Sequence, residues 1–575
     1  MKPNYKWLWR LVLLAAVAAL AATGGFVHSA KAFDPEGIES PADEGFLEIP
    51  DAGAPAPGDN GNFSTASHDN GRGGNTFTND PCLDPPPTAP PPENRRRTVQ
   101  SETEVAVNGS NVVVGYNDSF GFYDNQQGLS GFAYSTNGGN TFIDGGGLPP
   151  LIRGVRPFPL PVDRYLGDPV VQVDQSTGEF YFASIYQLPN GTDSISVNKG
   201  VFTDAPPNVN GAIESVSNTR CLNQPELTGI PDPPSQGQKQ RIVWGHPVVA
   251  VPVTASTRRD FLDKEWMTVD QKTGQIYVTY TRFAFDGSTP LEVVRSDDHG
   301  ATWQGPFVII PNLADTFNQA TQPIVTSTGR VVVTWIARTF SLGGFGPESE
   351  NRIEAAYSDN QGVTFSSPVV VAKVNPQGEP PGYNRNRRSI LNAPYIAADP
   401  TSPNVYIGYF NGKTPLVGPG GVIFTGPIAS QGDILLSTSA TNGTTYGPPV
   451  KVNDDPGTTS HVFPTVQVNK HHDVYMSWND RRADPNNELT NTWANVSKDG
   501  GATFGHDKLQ SDIGTSWRVR ADARPNFGDY NSSDLIGDNQ FVITWADGRF
   551  RPPGGQAATP DTIFTIANGL GVGNG

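Results

Sequence analysis

The chain has 575 residues, with 40 Lys and Arg against 57 Asp and Glu for a net charge of −17, and with 63 Gly and 52 Pro. One residue in five is Gly or Pro and helix-building Ala/Leu/Glu/Lys tracts are few, which excludes a helical bundle or a coiled coil. The acidic balance offers no basic stripe to neutralise phosphates, which excludes nucleic acid as a partner.

The first residues, MKPNYKWLWR, carry positive charge, LVLLAAVAALAA follows, and Ala30, Lys31 and Ala32 form an A-x-A site. That is the order of a secretory signal, so residues 1–32 are expected to be cleaved after Ala32 and the protein secreted. The alternative is an uncleaved anchor, for which the apolar run is short. No second apolar run of spanning length follows, so no integral membrane segment is expected after cleavage.

Residues 33–97 read as a Pro/Gly-rich leader, expected to be largely disordered and containing the stiff run DPPPTAPPP at 84–92. Within it GGNTF at 73–77 copies GGNTF at 138–142, which points to a hidden strand. Cys82 and Cys221 are the two cysteines, and in an exported protein they read as one disulfide tying leader to body; two free thiols are the alternative. Two cysteines cannot build a thiolate zinc cage and no H-E-x-x-H stretch occurs, so no metal centre is assigned. The basic runs NRRR at 94–97 and NRNRRS at 384–389 read as a linker and a solvated loop.

The body, 98–575, is organised by repeats. STNGGNTF from Ser135, SDDHGATW from Ser296, SDNQGVTF from Ser358, SATNGTTY from Ser439 and SKDGGATF from Ser497 share four positions at one spacing. A degenerate sixth copy, SVNKGVF, starts at Ser196. Such a segment suits a tight turn between strands: polar side chains bond the turn backbone, Gly accepts a positive φ and the aromatic packs inward. Seven strand–turn–strand units accompany these turns, from ETEVAVNGSNVVVGYND to DYNSSDLIGDNQFVITWADGR, at about 67 residues per unit. The expectation is an all-β, six- or seven-bladed β-propeller. The last unit is short, so closure is expected to borrow a strand from before Ser101.

The repeated S-x-D-x-G-x-T-W turn resembles the Asp box, or bacterial neuraminidase repeat, of the sialidase superfamily. Asp298 and Asp499 keep its Asp, Asn137 and Asn360 replace it, and Thr441 departs from it. The resemblance implies a propeller that recognises extracellular glycans and an exo-glycosidase activity of the sialidase kind; the alternative is a non-catalytic scaffold that binds protein or glycan. Sialidases use a Tyr backed by Glu with an Asp acid/base. The Arg-Ile-Pro motif of that family is absent, and Glu stands in SETEVAV where its Arg is expected.

In an up-and-down blade the start of the first strand and the end of the second lie on one face. This places Glu102, Glu104, Asp168, Asp263, Glu265, Gln322, Asn392, His461, Asp529 and Tyr530 around one mouth of the channel. Tyr530 beside Asp529, approached by Glu102 or Glu104, is the catalytic candidate, with Asp168, Asp263 and Glu265 completing the acidic ring. Arg338, Arg481, Arg482, Arg549 and Trp266 are the substrate-binding candidates. The competing readings are a structural collar of carboxylates and arginines, or a channel that holds a calcium ion. His471 and His472 read as surface residues. No other cofactor is expected, and the chain is read as a monomer whose partner is a glycan or glycoprotein.

Overall fold

The computed structural model describes residues 75–79, 99–119, 128–149, 163–204, 240–311, 316–340, 348–383, 389–415, 428–519, 525–550, 559–567 and 569–570. The expected signal segment, most of the expected leader, both cysteines and the basic runs 94–97 and 384–388 lie outside these residues. Among the described residues no helix is long and apolar enough to cross a membrane.

Seven antiparallel sheets follow one another along the chain. Their first strands are Gln100–Asn108, Arg164–Asp174, Phe261–Val269, Thr316–Val325, Tyr395–Ala398, His461–Val468 and Ser532–Ile536. Each is joined by a short turn to its partner: Asn111–Asp118, Glu179–Gln187, Ile276–Phe283, Val331–Phe340, Val405–Gly412, Val474–Asp480 and Gln540–Phe550. These are the seven units read from the sequence. Each first strand touches the first strands of both neighbours, and Gln100–Asn108 meets Ser532–Ile536, so the ring closes as a seven-bladed propeller with the first strands innermost.

Closure comes from the leader. Thr76–Phe77 pairs with Phe564 and Ile563 as the fourth strand of blade seven. Asn79 fastens it, donating to Asp561 Oδ1 at 2.9 Å and accepting from the Thr562 amide at 2.9 Å.

The five repeated turns share one hydrogen-bond scheme. Ser296 Oγ accepts from the Gly300 amide at 2.9 Å, while Asp298 accepts from the Thr302 amide and hydroxyl at 2.8 and 2.6 Å. Asn137 and Asn360 accept from the same amide and donate to the same hydroxyl, and Thr441 Oγ1 fills both roles toward Thr445. The turn also docks on the preceding blade of the ring: at Gly139 of blade one, φ +85°, a Cβ would stand 2.2 Å from the Phe564 ring of blade seven. The expected sixth turn is not formed. Ser196 lies inside the continuous strand Asp193–Thr203, because Arg241–Trp244 and Val248–Val249 both pair along that strand and leave no hairpin there.

The core lies between blades. Val113, Phe132 and Tyr134 of blade one pack on Val171, Phe180 and Phe182 of blade two, and Tyr475 of blade six packs with Phe541, Trp545 and Phe77 at blade seven. The middle strands are covered on both faces, which is why they read as unbroken runs such as VVVTW rather than as alternating ones. Because Phe77 is the buried anchor of the closing strand, Phe77→Ala should lower stability by about 3–5 kcal/mol, measured by urea unfolding, with loss of closure as the cause.

Candidate functional site

A repeated irregularity builds the mouth. In blades one, two, three, four and six the register of the innermost strand shifts just before Glu104, Val170, Trp266, Gln322 and Thr465. Two residues earlier each strand carries a non-glycine residue at positive φ: Glu102 at 53°, Asp168 at 53°, Lys264 at 51°, Ala320 at 56° and Phe463 at 55°. A bulge re-aims a side chain, and a left-handed residue of this kind costs about 1–3 kcal/mol of local strain. Here it turns Glu102, Asp168 and Lys264 toward one point.

Lys264 is the centre of that point. Its Nζ lies 2.9 Å from Glu102 Oε1, 2.9 Å from Asp168 Oδ2 and 3.3 Å from Asp529 Oδ2, and all four residues are buried. Asn117 Nδ2 donates to Glu102 Oε2 at 2.9 Å, and the Asp168 amide donates to Asn117 Oδ1 at 3.0 Å. The Asp529 amide donates to Glu102 Oε1 at 3.0 Å, and the Tyr383 hydroxyl donates to Asp529 Oδ1 at 2.8 Å. Sequence reasoning named Asp263 and Glu265 and passed over the lysine between them. The available signal was its place in the hairpin, which is that of Glu102 and Asp168.

Beneath the ions lies an aromatic layer. Tyr530 meets Trp266 edge to face at 5.0 Å between ring centres, and Trp266 meets Tyr395 in the same way at 5.6 Å. The Tyr530 hydroxyl donates to the Pro169 carbonyl at 3.2 Å, and Lys264 Nζ stands 5.5 Å from its ring centre. A small recess is lined by Lys264, Trp266, Ala320, Gln322, Ala393 and Tyr530. Asp263 is held off to the side by Gln319 Nε2 at 3.0 Å. Glu104 and Glu265 are buried near the channel with neither carboxyl oxygen hydrogen-bonded.

Burial sets the charge states. It pushes Glu102 up to about 8, helped by the charge of Asp168 and opposed by Lys264. Burial also raises Glu104 and Glu265 well above the ordinary carboxyl range. Burial alone would lower Lys264, but Asp168, Glu102 and Asp529 outweigh it and raise it, so it is an ammonium. Burial and the surrounding carboxylates likewise raise Tyr530, which stays a neutral phenol.

The predicted arginines do not join this centre. Arg481 donates to Thr490 Oγ1, the Asn487 carbonyl and the Pro381 carbonyl at 2.9, 2.7 and 2.9 Å, and lies over the Trp517 ring at 4.8 Å. Burial lowers it to about 9. Arg482 pairs with Asp480, Asp454 and Asp507, each at 2.7 Å. Arg549 pairs with Asp547 and Asp512 and donates to Asn75, bracing the closing strand. Arg338 is buried on the second strand of blade four, opposite Phe317 and Asn351. His471 and His472 are exposed, and His472 pairs with Asp399.

A second ionic group sits under blade six. His461 Nε2 is 3.1 Å from Asp455 Oδ1 and 3.0 Å from Asp480 Oδ2, while Nδ1 is 3.1 Å from the Thr459 carbonyl. These three residues have the types and spacing of a metal site. The group is nevertheless complete without one: Trp478 Nε1 and Arg482 donate to Asp480, and Asn453 donates to Asp455. Burial would lower His461, but the bonds to Asp455 and Asp480 raise it to about 9.

On the mouth side, phenylalanines form a patch across blades three and four. Phe261 and Phe283 have ring centres 6.2 Å apart, Phe283 and Phe317 5.8 Å, and Phe285 is 71% exposed with Arg259 4.7 Å from its ring centre.

No protein-family model and no curated protein matches this chain. Among solved structures it is similar to a protein of unknown function from Dyadobacter fermentans, at 14% identity over 69% of this chain and 94% of that one, TM-score 0.37. It is similar to a sialidase of Trypanosoma rangeli bound to 2,3-difluorosialic acid, at 12% identity over 75% of this chain and 59% of that one, TM-score 0.41. It is also similar to an α-L-arabinofuranosidase of Fusarium graminearum, at 12% identity over 86% of this chain and 99% of that one, TM-score 0.37. The chain thus spans somewhat over half the length of the Trypanosoma sialidase.

Two outcomes are expected. Lys264→Met leaves buried carboxylates without their cation and should destabilise the fold by about 3–5 kcal/mol in urea unfolding. His461, raised from 6.5 to about 9, binds its proton more tightly when folded, so its contribution is full below pH 6.5 and is lost as pH rises through about 9. The fall in the urea midpoint between those limits should shrink in His461→Gln.

Proposed function

We propose that the chain is an exported propeller that binds extracellular glycans on its mouth side without hydrolysing them. The observation that carries this reading is the phenylalanine patch: apolar rings, one of them mostly exposed, flanked by Arg259 and by Asp263 with Gln319, offer a stacking platform and polar edges to a sugar. The class of ligand is the one that the repeated turn's resemblance implies. The charged centre favours binding over cleavage, because the Tyr530 hydroxyl is bonded to a backbone carbonyl and the carboxyl groups of Glu102, Asp168 and Asp529 surround an ammonium. Export itself is tested by N-terminal sequencing of the secreted protein, which should begin at Phe33.

One observation favours a second reading. Glu102, pushed up to about 8, keeps its proton at neutral pH beside Asp529 and Tyr530, as a general acid for glycoside cleavage would. A glycan array run with Phe285→Ala, together with fluorogenic glycosides including a sialoside, separates the two. Binding that falls at least tenfold in Phe285→Ala, with no turnover, is expected. Turnover abolished by Tyr530→Phe or Asp529→Asn would establish the hydrolase instead.

A further inference from the structure

We infer that Lys264 and Asp168 form an intramolecular amide, a covalent staple between the innermost strands of blades two and three. The geometry that carries this is the approach of one primary amine to a carboxyl group inside the protein, with a second carboxyl touching the same nitrogen. Nζ of Lys264 lies 2.9 Å from Asp168 Oδ2 and 2.9 Å from Glu102 Oε1, with all three groups buried. Both reacting side chains stand on left-handed residues at equivalent bulges of adjacent strands, so the backbone holds them together before any bond forms. A pair fixed in this way reacts as if at very high concentration.

The alternative acceptors are less suited. Asp529 is farther from Nζ at 3.3 Å and its other oxygen is held by the Tyr383 hydroxyl. Glu102 is fixed at both oxygens, by Asn117 Nδ2 and by the Asp529 amide, so it is placed to move protons rather than to be attacked.

The step balances within the cluster. A proton passes from Nζ to Asp168 Oδ2 along their hydrogen bond, giving transiently an amine and a carboxylic acid. Nζ then attacks Cγ of Asp168, forming the C–N bond. Glu102, which holds its own proton, gives it to the departing hydroxyl as it takes one from the attacking nitrogen, the C–O bond breaks, and one water leaves. Nothing is oxidised or reduced, and no co-reactant is required.

The test is mass spectrometry of the full secreted chain after denaturation, with its N terminus determined by sequencing. The expected result is a mass lower by one water, resistance to trypsin after Lys264, and a branched peptide joining the segments around Asp168 and Lys264. Lys264→Arg, which keeps the charge but lacks the amine, and Glu102→Gln, which keeps the shape but not the proton carrier, should both show the full mass while circular dichroism reports the same β structure. A wild-type chain with full mass and ordinary cleavage after Lys264 overturns the inference, whether or not the variants fold. A branch from Lys264 to Glu102 or Asp529 overturns it as well, and a Glu102→Gln chain that is still joined overturns the part given to Glu102.

Discussion

A lysine ammonium cannot sit in a water-poor channel unless oxygens replace its hydration shell, and the centre of this propeller is arranged around that requirement. Lys264 comes from blade three, and the carboxylates that receive it come from blades one, two and seven. The innermost strands reach this arrangement only by leaving regular β geometry, which accounts for left-handed Glu102, Asp168 and Lys264 at matching positions. Three carboxylates around one cation are still too much negative charge for a buried site, and Glu102 relieves it by holding its proton to about pH 8. The charges at the mouth therefore serve one another first, and the open surface beside them is the phenylalanine patch, with Phe285 71% exposed.

The two ends of the propeller follow different rules. At the end opposite the mouth, the same turn recurs because its task is local: a hydroxyl from Ser accepts the glycine amide, and a second acceptor receives the amide and hydroxyl of Thr. Asp, Asn and Thr all satisfy that second position, so Thr441 keeps the geometry that Asp298 makes elsewhere. At the mouth no such repetition holds. Residues equivalent by register are Glu, Asp, Lys, Ala and Phe, each chosen by what stands across the channel.

The arginines show how misleading proximity to a strand end can be. Arg481 and Arg482 leave the second strand of blade six on the mouth side, as the pattern requires, yet each is taken up by partners inside the protein. Arg482 neutralises a group of aspartates that would otherwise repel one another, and Arg481 is consumed by two carbonyls, a threonine and the face of Trp517. A guanidinium carries five donors, and a protein with many loop carbonyls and acids readily uses them internally.

The sequence by itself determined what local pairing and hydrophobic pattern control: the hairpins, the turns, the face on which strand starts gather, and the leader strand that closes blade seven, visible in the copy of GGNTF. It misled at Ser196, where two later strands pair along one long strand and override a turn-like segment. Tertiary structure decided the number of blades, the commitment of the arginines to internal partners, and the meeting of Glu102 with Lys264 and of Asp168 with Lys264 across 162 and 96 residues of chain. The reason is physical. A turn is stabilised by bonds among residues four apart, so its chemistry is written in one short segment, whereas an ion buried on the axis is stabilised by groups that become neighbours only when the ring closes.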